Sequence, residues 1–287
     1  MKRTLTLILI ALLATIATRA ASPVEYTKAD SIKVVTMLQQ AKTQRQGEPP
    51  VLYFANQFIG TPYVGHTLEL GDTEHLIVNL HELDCTTFIE TVLALALCDK
   101  DDTRTWADYC RNLTKVRYRN GRMTDYTSRL HYFTWWAKDN QQLGIVREVT
   151  GSGNPFTATQ TVSINYMTTH PSAYKQLKSH PEFVPIIRKY EQATNGETYR
   201  YIPKSKLAQG PSTSLGVIKS GDIVGIITRK AGLDTTHLGI AVWQNGRLHL
   251  LNASAIYHKV VLDSNTFFDY SQKQSSQLGI RVLRFVE

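Results

Sequence analysis

The sequence predicts an α+β fold in which a helical half precedes an antiparallel sheet, and three observations carry that prediction. Segments with apolar residues at helical spacing fill the chain up to about residue 143. Short β-rich stretches take over from Gly144, and roughly the last seventy residues read as successive strands divided by turn residues. One of those divisions is Asn245-Gly246, the strongest short hairpin signal there is. Helices followed by hairpin-linked strands describe α+β rather than an alternating βαβ arrangement.

In chain order, Met1, Lys2 and Arg3 lead into the apolar run Leu5 to Ile16, and small residues follow at Thr18 and Ala20. That pattern predicts a signal peptide over 1–20, cut after Ala20. The run is too short to span a bilayer and nothing comparable follows, so no integral membrane segment is expected after signal removal, and the protein is expected to be periplasmic or secreted. Residues 21–50 read as an N-terminal helix and linker. In "KADSIKVVTMLQQAKTQ", Ile32, Val35, Met37 and Leu38 are helically spaced, with Asp30 or Ser31 as N-cap, and "GEPP" breaks the helix. Residues 51–287 form the main domain. It opens with a short helix, Val51 to Ile59, stopped by Gly60 and Pro62.

Asp84 to Leu97 is the clearest helix: Asp84 is a good N-cap, and the apolar run behind it implies burial on most sides. "TWADYCRNLTKVRY" and "RLHYFTWWAKDNQQ" extend the helical part, within an insertion of about 103–180. "IVREVT" and "TATQTVSINY" read as strands, "PSAYKQL" as a helix, and a basic loop leads to the final strands "DIVGIIT", "HLGIAVWQ", "RLHLLNAS", "KVVLD" and "IRVLRFV".

The formal charge is +8, and about +5 once Lys2, Arg3 and Arg19 leave with the signal. The basic residues are scattered and no zinc-finger, helix-turn-helix or RNA-binding signature occurs, which argues against nucleic acid as a partner. A mildly basic surface suits an anionic cell-wall polymer, or simply solubility. With three cysteines, Cys85, Cys98 and Cys110, an oxidising compartment leaves at least one unpaired. Cys98 and Cys110 are twelve apart and could pair, although Cys98 also reads as a core residue.

Cys85 falls in the first turn of its helix, where the macrodipole and free N–H groups favour thiolate. A nucleophilic cysteine also needs a base, and the base needs an orienting group. None of the nine histidines stands at metal-ligand spacing from a cysteine and HEXXH is absent, so no metal and no cofactor are implied. His237 begins a strand after a polar loop. A two-residue turn at Asn245-Gly246 pairs Gln244 with Arg247, Val242 with His249 and Gly239 with Asn252, so Asn252 shares a face with His237 at roughly 7–8 Å between Cα atoms. His249 is five residues from the position opposite His237, roughly 17 Å along a strand, and cannot reach. Asn252 is the better orienting group; a bulge would hand the role to Ser254. Cysteine, histidine and amide together suit acyl transfer through a thioester, with the oxyanion held at the Cys85 N–H.

These residues, in this order, resemble the NlpC/p60 superfamily of cell-wall cysteine peptidases. The pieces are "GTPYV" at 60–64, "LDCTTF" at 83–88, "SGDIVGI" at 220–226, "THLGIAV" at 236–242 and "NAS" at 252–254. The resemblance implies a papain-like fold with its nucleophile at a helix N-terminus packed on an antiparallel sheet. It implies catalytic Cys85, His237 and Asn252, with Tyr63 projecting into the site beside the helix-capping Asp84. Two departures, the long stretch before "DCTTF" and the helical insertion, look like a branch similar to N-acetylmuramoyl-L-alanine amidases of cell-wall turnover, frequent in Bacteroidetes. That branch implies peptidoglycan fragments as substrate and hydrolysis between N-acetylmuramic acid and L-alanine. A stem-peptide endopeptidase cutting after D-glutamate and a non-catalytic wall-binding module are the alternatives. Within the insertion, Ser128, Arg129, His131 and Tyr132 combine a cation, neutral donors and an aromatic face, and are expected to bind substrate. On that expectation Arg129→Ala raises KM with little effect on folding. The aromatics around them also suit helix packing.

Overall fold

The computed structural model describes residues 24–287, so the expected signal peptide at 1–20 lies outside the described residues. The helices are α1 Lys28–Gln44, α2 Pro50–Asn56, α3 Cys85–Lys100, α4 Trp106–Arg117, α5 Phe133–Gln142, α6 Tyr166–Thr169, α7 Lys175–Ser179, α8 Phe183–Thr194 and α9 Phe267–Gln272. A two-residue parallel pair joins β1 Val24–Glu25 to β2 Leu76–Ile77. The remaining strands are β3 Val146–Val149, β4 Ala158–Thr161, β5 Thr198–Pro203, β6 Ile223–Thr228, β7 Thr235–Gln244, β8 Arg247–Ser254, β9 Lys259–Leu262 and β10 Gln277–Phe285. They form one antiparallel sheet ordered β4-β5-β10-β6-β7-β8-β9, with β3 also paired to β10. The α+β class with an antiparallel sheet is therefore the observed architecture.

Local chemistry explains most of the elements. Helix α1 is capped by Thr27, whose hydroxyl accepts from the Asp30 N–H while the Asp30 carboxylate accepts from the Thr27 N–H. Asp30 thus serves as the third helical residue of a capping box and not as the cap itself, and its Oδ1 also accepts from the Leu80 N–H. Pro50 opens α2, which ends at Asn56, three residues before the expected Ile59. Helix α3 is sheathed by α1, α2, α4 and the sheet, and Phe88 through Cys98 are buried without a break. Such continuous burial explains a helix that is apolar all round.

Three differences from the sequence expectations concern the insertion and the segment after it. Arg129 to Tyr132 precede α5 as extended chain instead of belonging to it. "PSAYKQL" divides into a 3-10 turn at Pro171–Ala173 and the short α7. The stretch expected to be a basic loop holds α8 and β5. Pro185 is the third residue of α8, where a missing N–H costs no intrahelical bond, so it does not break the helix.

Two buried polar contacts tie the insertion to the rest of the fold. Arg129 donates from Nε and Nη2 to both oxygens of Glu74, at 2.9 and 2.6 Å, and from Nη1 to Glu69 at 2.7 Å. Tyr118 and Gln176 donate to the same Glu74 carboxylate. Burial works to raise the Glu74 carboxyl, but the Arg129 charge and its hydrogen bonds hold it below the usual carboxylate range. The second contact involves Asp234, just before β7, whose Oδ2 accepts from the Thr134 N–H at 2.6 Å in the first turn of α5. Nearby, Gly225 of β6 lets the sheet meet α5, because a Cβ there would lie 2.5 Å from the Phe133 ring.

The Arg129 contacts give the first prediction. Arg129→Ala leaves Glu74 buried without its cation, and chemical denaturation is expected to show a loss of about 3–5 kcal/mol. A variant as stable as the parent protein would remove this ion pair from the structural framework.

Candidate active site

Cys85 is the first residue of α3, and the cap ahead of it determines which groups are left free. Asp84 Oδ1 accepts from the N–H groups of Thr86 and Thr87, at 3.0 and 2.8 Å, while Thr87 Oγ1 accepts from the Asp84 N–H. The Cys85 N–H is not part of this box. It stays open at the positive end of the helix, beside a half-buried thiol. The Leu238 backbone N–H of β7 faces the sulfur, so the helix end meets the sheet at the residue after His237.

The hairpin register matches the sequence arithmetic: Gln244 pairs with Arg247 and Val242 with His249. Between β6 and β7 the register shifts, with Ile226 opposite His237 and Ile227 opposite Thr235, so Thr236 forms a bulge immediately before the histidine. His237 Nε2 lies 2.9 Å from Asn252 Oδ1. The Asn252 Nδ2 donates to the Leu250 carbonyl, leaving Oδ1 toward the ring, and Oδ1 can only accept. Nε2 therefore carries the proton, and Nδ1 is left as a lone pair able to act as base. Ser254 is turned away, its hydroxyl accepting from the Tyr257 N–H, and His249 is held by the Asp263 carbonyl.

Tyr63 sits on a short bridge to Leu83, two residues before the cysteine. Burial, with the neighbouring Cys85 and Asp84, pushes its hydroxyl up to about 12, so it remains a donor near neutral pH. Burial and then the Asp84 carboxylate also push the Cys85 thiol up to about 12, against the pull of the helix terminus and of the Leu238 N–H. Burial lowers the His237 imidazole, opposed by the Asn252 hydrogen bond and by Asp84. Both shifts favour the uncharged forms, thiol and neutral imidazole. Desolvation, the largest effect on this sulfur, opposes the thiolate that the helix terminus favours.

Cys85 and His237 open onto one cleft of about 190 Å³ whose far wall comes from the insertion: Leu130, His131, Tyr132, Phe133, Trp136 and Met167. Of the four residues expected to bind substrate, His131 and Tyr132 line this cleft and Ser128 and Arg129 do not. Arg129 is committed to Glu74 and Glu69, and Ser128 closes a turn by donating to the Asp125 carbonyl at 2.6 Å. Tyr132 lines the wall with its ring, while its hydroxyl is bonded to Glu191. The cleft residues that sequence reasoning missed, Leu130, Met167 and Leu233, are ordinary apolar residues with no local signal. Cys98 and Cys110 are free thiols; Cys98 accepts from Asn112 Nδ2 at 3.3 Å, and burial raises both. Among the described residues no cluster of His, Cys, Asp and Glu could hold a metal ion, and no helix is long and apolar enough to cross a membrane.

This geometry sets the expected pH dependence. With His237 as base, a neutral imidazole of lowered pKa, kcat/KM for hydrolysis is expected to fall only below the ordinary histidine value of about 6.5. It should then stay level into the alkaline range, whereas a descending limb near pH 8–9 would identify a thiolate–imidazolium pair. Cys98→Ser and Cys110→Ser are expected to retain turnover, measured on the same substrate, since neither thiol lines the cleft.

The N-acetylmuramoyl-L-alanine amidase-like family model matches residues 53–280. Among solved structures, an N-acetylmuramoyl-L-alanine amidase from Bacteroides uniformis is 38% identical over 84% of this chain and 100% of its own, with a TM-score of 0.78. A Bacteroides fragilis protein provisionally described as a xylanase is 44% identical over 82% of this chain and 100% of its own, with a TM-score of 0.75. A Legionella pneumophila protein at 21% identity shares the fold, with a TM-score of 0.66 over 90% of this chain and 94% of its own. Comparison with curated proteins gives no match. With the family model spanning most of its length, the chain belongs to the N-acetylmuramoyl-L-alanine amidase-like family.

Proposed function

We propose that this protein is a cysteine-dependent amidase that hydrolyses the bond between N-acetylmuramic acid and L-alanine in peptidoglycan fragments. The observation that carries this reading is the shared cleft of Cys85 and His237, with His237 held by Asn252 at 2.9 Å in the tautomer that leaves Nδ1 free. The papain-like NlpC/p60 arrangement is part of the proposal. A cysteine opening a helix, a histidine near the start of a strand and an amide on the next strand support it.

In the reaction, the Cys85 sulfur attacks the amide carbonyl carbon as its proton passes to His237 Nδ1. The tetrahedral oxyanion is held by the uncommitted Cys85 N–H, with the Tyr63 hydroxyl as a second donor. Collapse breaks the carbon–nitrogen bond, and His237 returns the proton to the leaving L-alanine amine. Water, deprotonated by His237, then attacks the thioester; the carbon–sulfur bond breaks, His237 returns the proton to the Cys85 sulfur, and the muramic acid lactyl carboxylate is released. Asn252 keeps the ring in one tautomer through both halves.

A xylanase reading finds no support in the cleft. Glycoside hydrolysis uses two carboxyl groups flanking the bond, and among the described residues the only carboxylate lining this cleft is Asp234, committed to the Thr134 and Thr235 N–H groups. We place the protein in the periplasm or outside the cell, on the strength of the apolar run at Leu5 to Ile16.

Mass spectrometry of products from purified muropeptides tests the reading. Release of an intact stem peptide beginning at L-alanine, with free sugar, is expected; cleavage after D-glutamate would instead establish the endopeptidase. Cys85→Ser and His237→Ala are each expected to lower kcat by at least about 10³-fold without unfolding the protein. Asn252→Ala should keep residual activity and His249→Ala nearly all of it.

A further inference from the structure

His131 stands in the wall of the cleft, and its ring is fixed in a way that the proposed chemistry does not use. Its Nε2 lies 2.8 Å from the Tyr126 carbonyl oxygen, which can only accept, so Nε2 carries the proton. The ring also rests on Tyr126, with centroids 4.4 Å apart. Nδ1 is therefore an unprotonated acceptor. It has no hydrogen-bond partner among the described residues, and it is not sealed in the interior, since the side chain is only half-buried and borders the cleft. Burial, and then the adjacent Arg129 guanidinium, pull this imidazole down to about 3, so the acceptor persists throughout the neutral range. Around it the wall is largely apolar, with Leu130, Phe133, Trp136, Met167 and Leu233. A substrate N–H or O–H brought into that wall would lose its water and need an acceptor.

We infer that His131 is a specificity-determining residue: its Nδ1 accepts a hydrogen bond from an uncharged N–H or O–H donor of the substrate, and the same lone pair turns away a carboxylate. The inference rests on the proposed amidase reading for the identity of the substrate, a muropeptide. Its donor is either a sugar hydroxyl or N-acetyl group, or a peptide amide of the stem. In both cases the acceptor positions the fragment across Cys85 without joining the acyl transfer. An acceptor-only group such as a carboxylate at this position would face the nitrogen lone pair, so discrimination comes from an unpaired polar contact as well as from a matched one.

Two substitutions separate the acceptor from the structural bond. His131→Asn keeps an oxygen near the position of Nδ1 and loses the donor to Tyr126, whereas His131→Gln keeps a donor near the position of Nε2 and loses the acceptor. Both are made in the Cys85→Ser background, where calorimetric affinity for a purified muropeptide is read without turnover, and in the active protein for KM and kcat. The expected result is a rise of about 10- to 100-fold in Kd and KM for His131→Gln with kcat little changed, and a smaller rise for His131→Asn despite a lower Tm. The opposite order, or equal losses that track Tm, would assign His131 a purely structural role and overturn the inference. A sugar-free acyl peptide identifies the donor: an effect confined to the muropeptide places it on the sugar, and an equal effect on both places it on the stem. If the wild-type protein releases no stem peptide, the amidase reading fails, while the affinity ranking of the two variants still decides the role of His131.

Discussion

The first turn of α3 against the start of β7 is the contact on which the rest of the site depends. Asp84 satisfies two of the orphan N–H groups of the helix from within the chain, which leaves the Cys85 N–H and thiol as the groups presented to the sheet. The opposing surface is the Leu238 N–H, and the residue before it is His237. A bulge at Thr236 and the tight turn at Asn245-Gly246 then determine which face the histidine takes and which residue of β8 it meets. An error of one residue in either strand would send Asn252 to the other face.

The insertion makes a cleft out of this contact. Its chain runs from α4 through an extended stretch into α5, and it is anchored by Arg129 to Glu74 and Glu69 and by the Thr134 N–H to Asp234. The second anchor holds the loop that leads directly into His237, so the wall of the cleft and His237 are parts of one connected framework. Buried ion pairs of this kind add little to net stability compared with apolar packing, but they are costly to break once formed.

Electrostatics in the cleft favour neutral species. Desolvation raises the thiol and lowers both imidazoles, and the one carboxylate among the described lining residues is tied to backbone N–H groups. In the proposed reaction a neutral thiol and a neutral imidazole form charge only as the sulfur attacks, when the helix terminus and the open Cys85 N–H are already in place to stabilise it. Sites of this type draw on preorganised dipoles in place of standing ions.

The sequence by itself determined the features that short-range rules govern: the α+β order, the Asp84 cap, the Asn245-Gly246 hairpin and, through its register, the pairing of His237 with Asn252. Each of these depends on residues within a few positions of one another or on the strict period of a strand. It could not determine the role of Arg129, because Glu74 and Glu69 are 55 and 60 residues away and only folding brings them together. Helix α8 was hidden for a related reason: Pro185 reads as a break until its place in the first helical turn is known. The protonation of Cys85 likewise belonged to the tertiary structure. A helix dipole can be read from sequence, but desolvation depends on what covers the sulfur, and that is decided by how the helix meets the sheet.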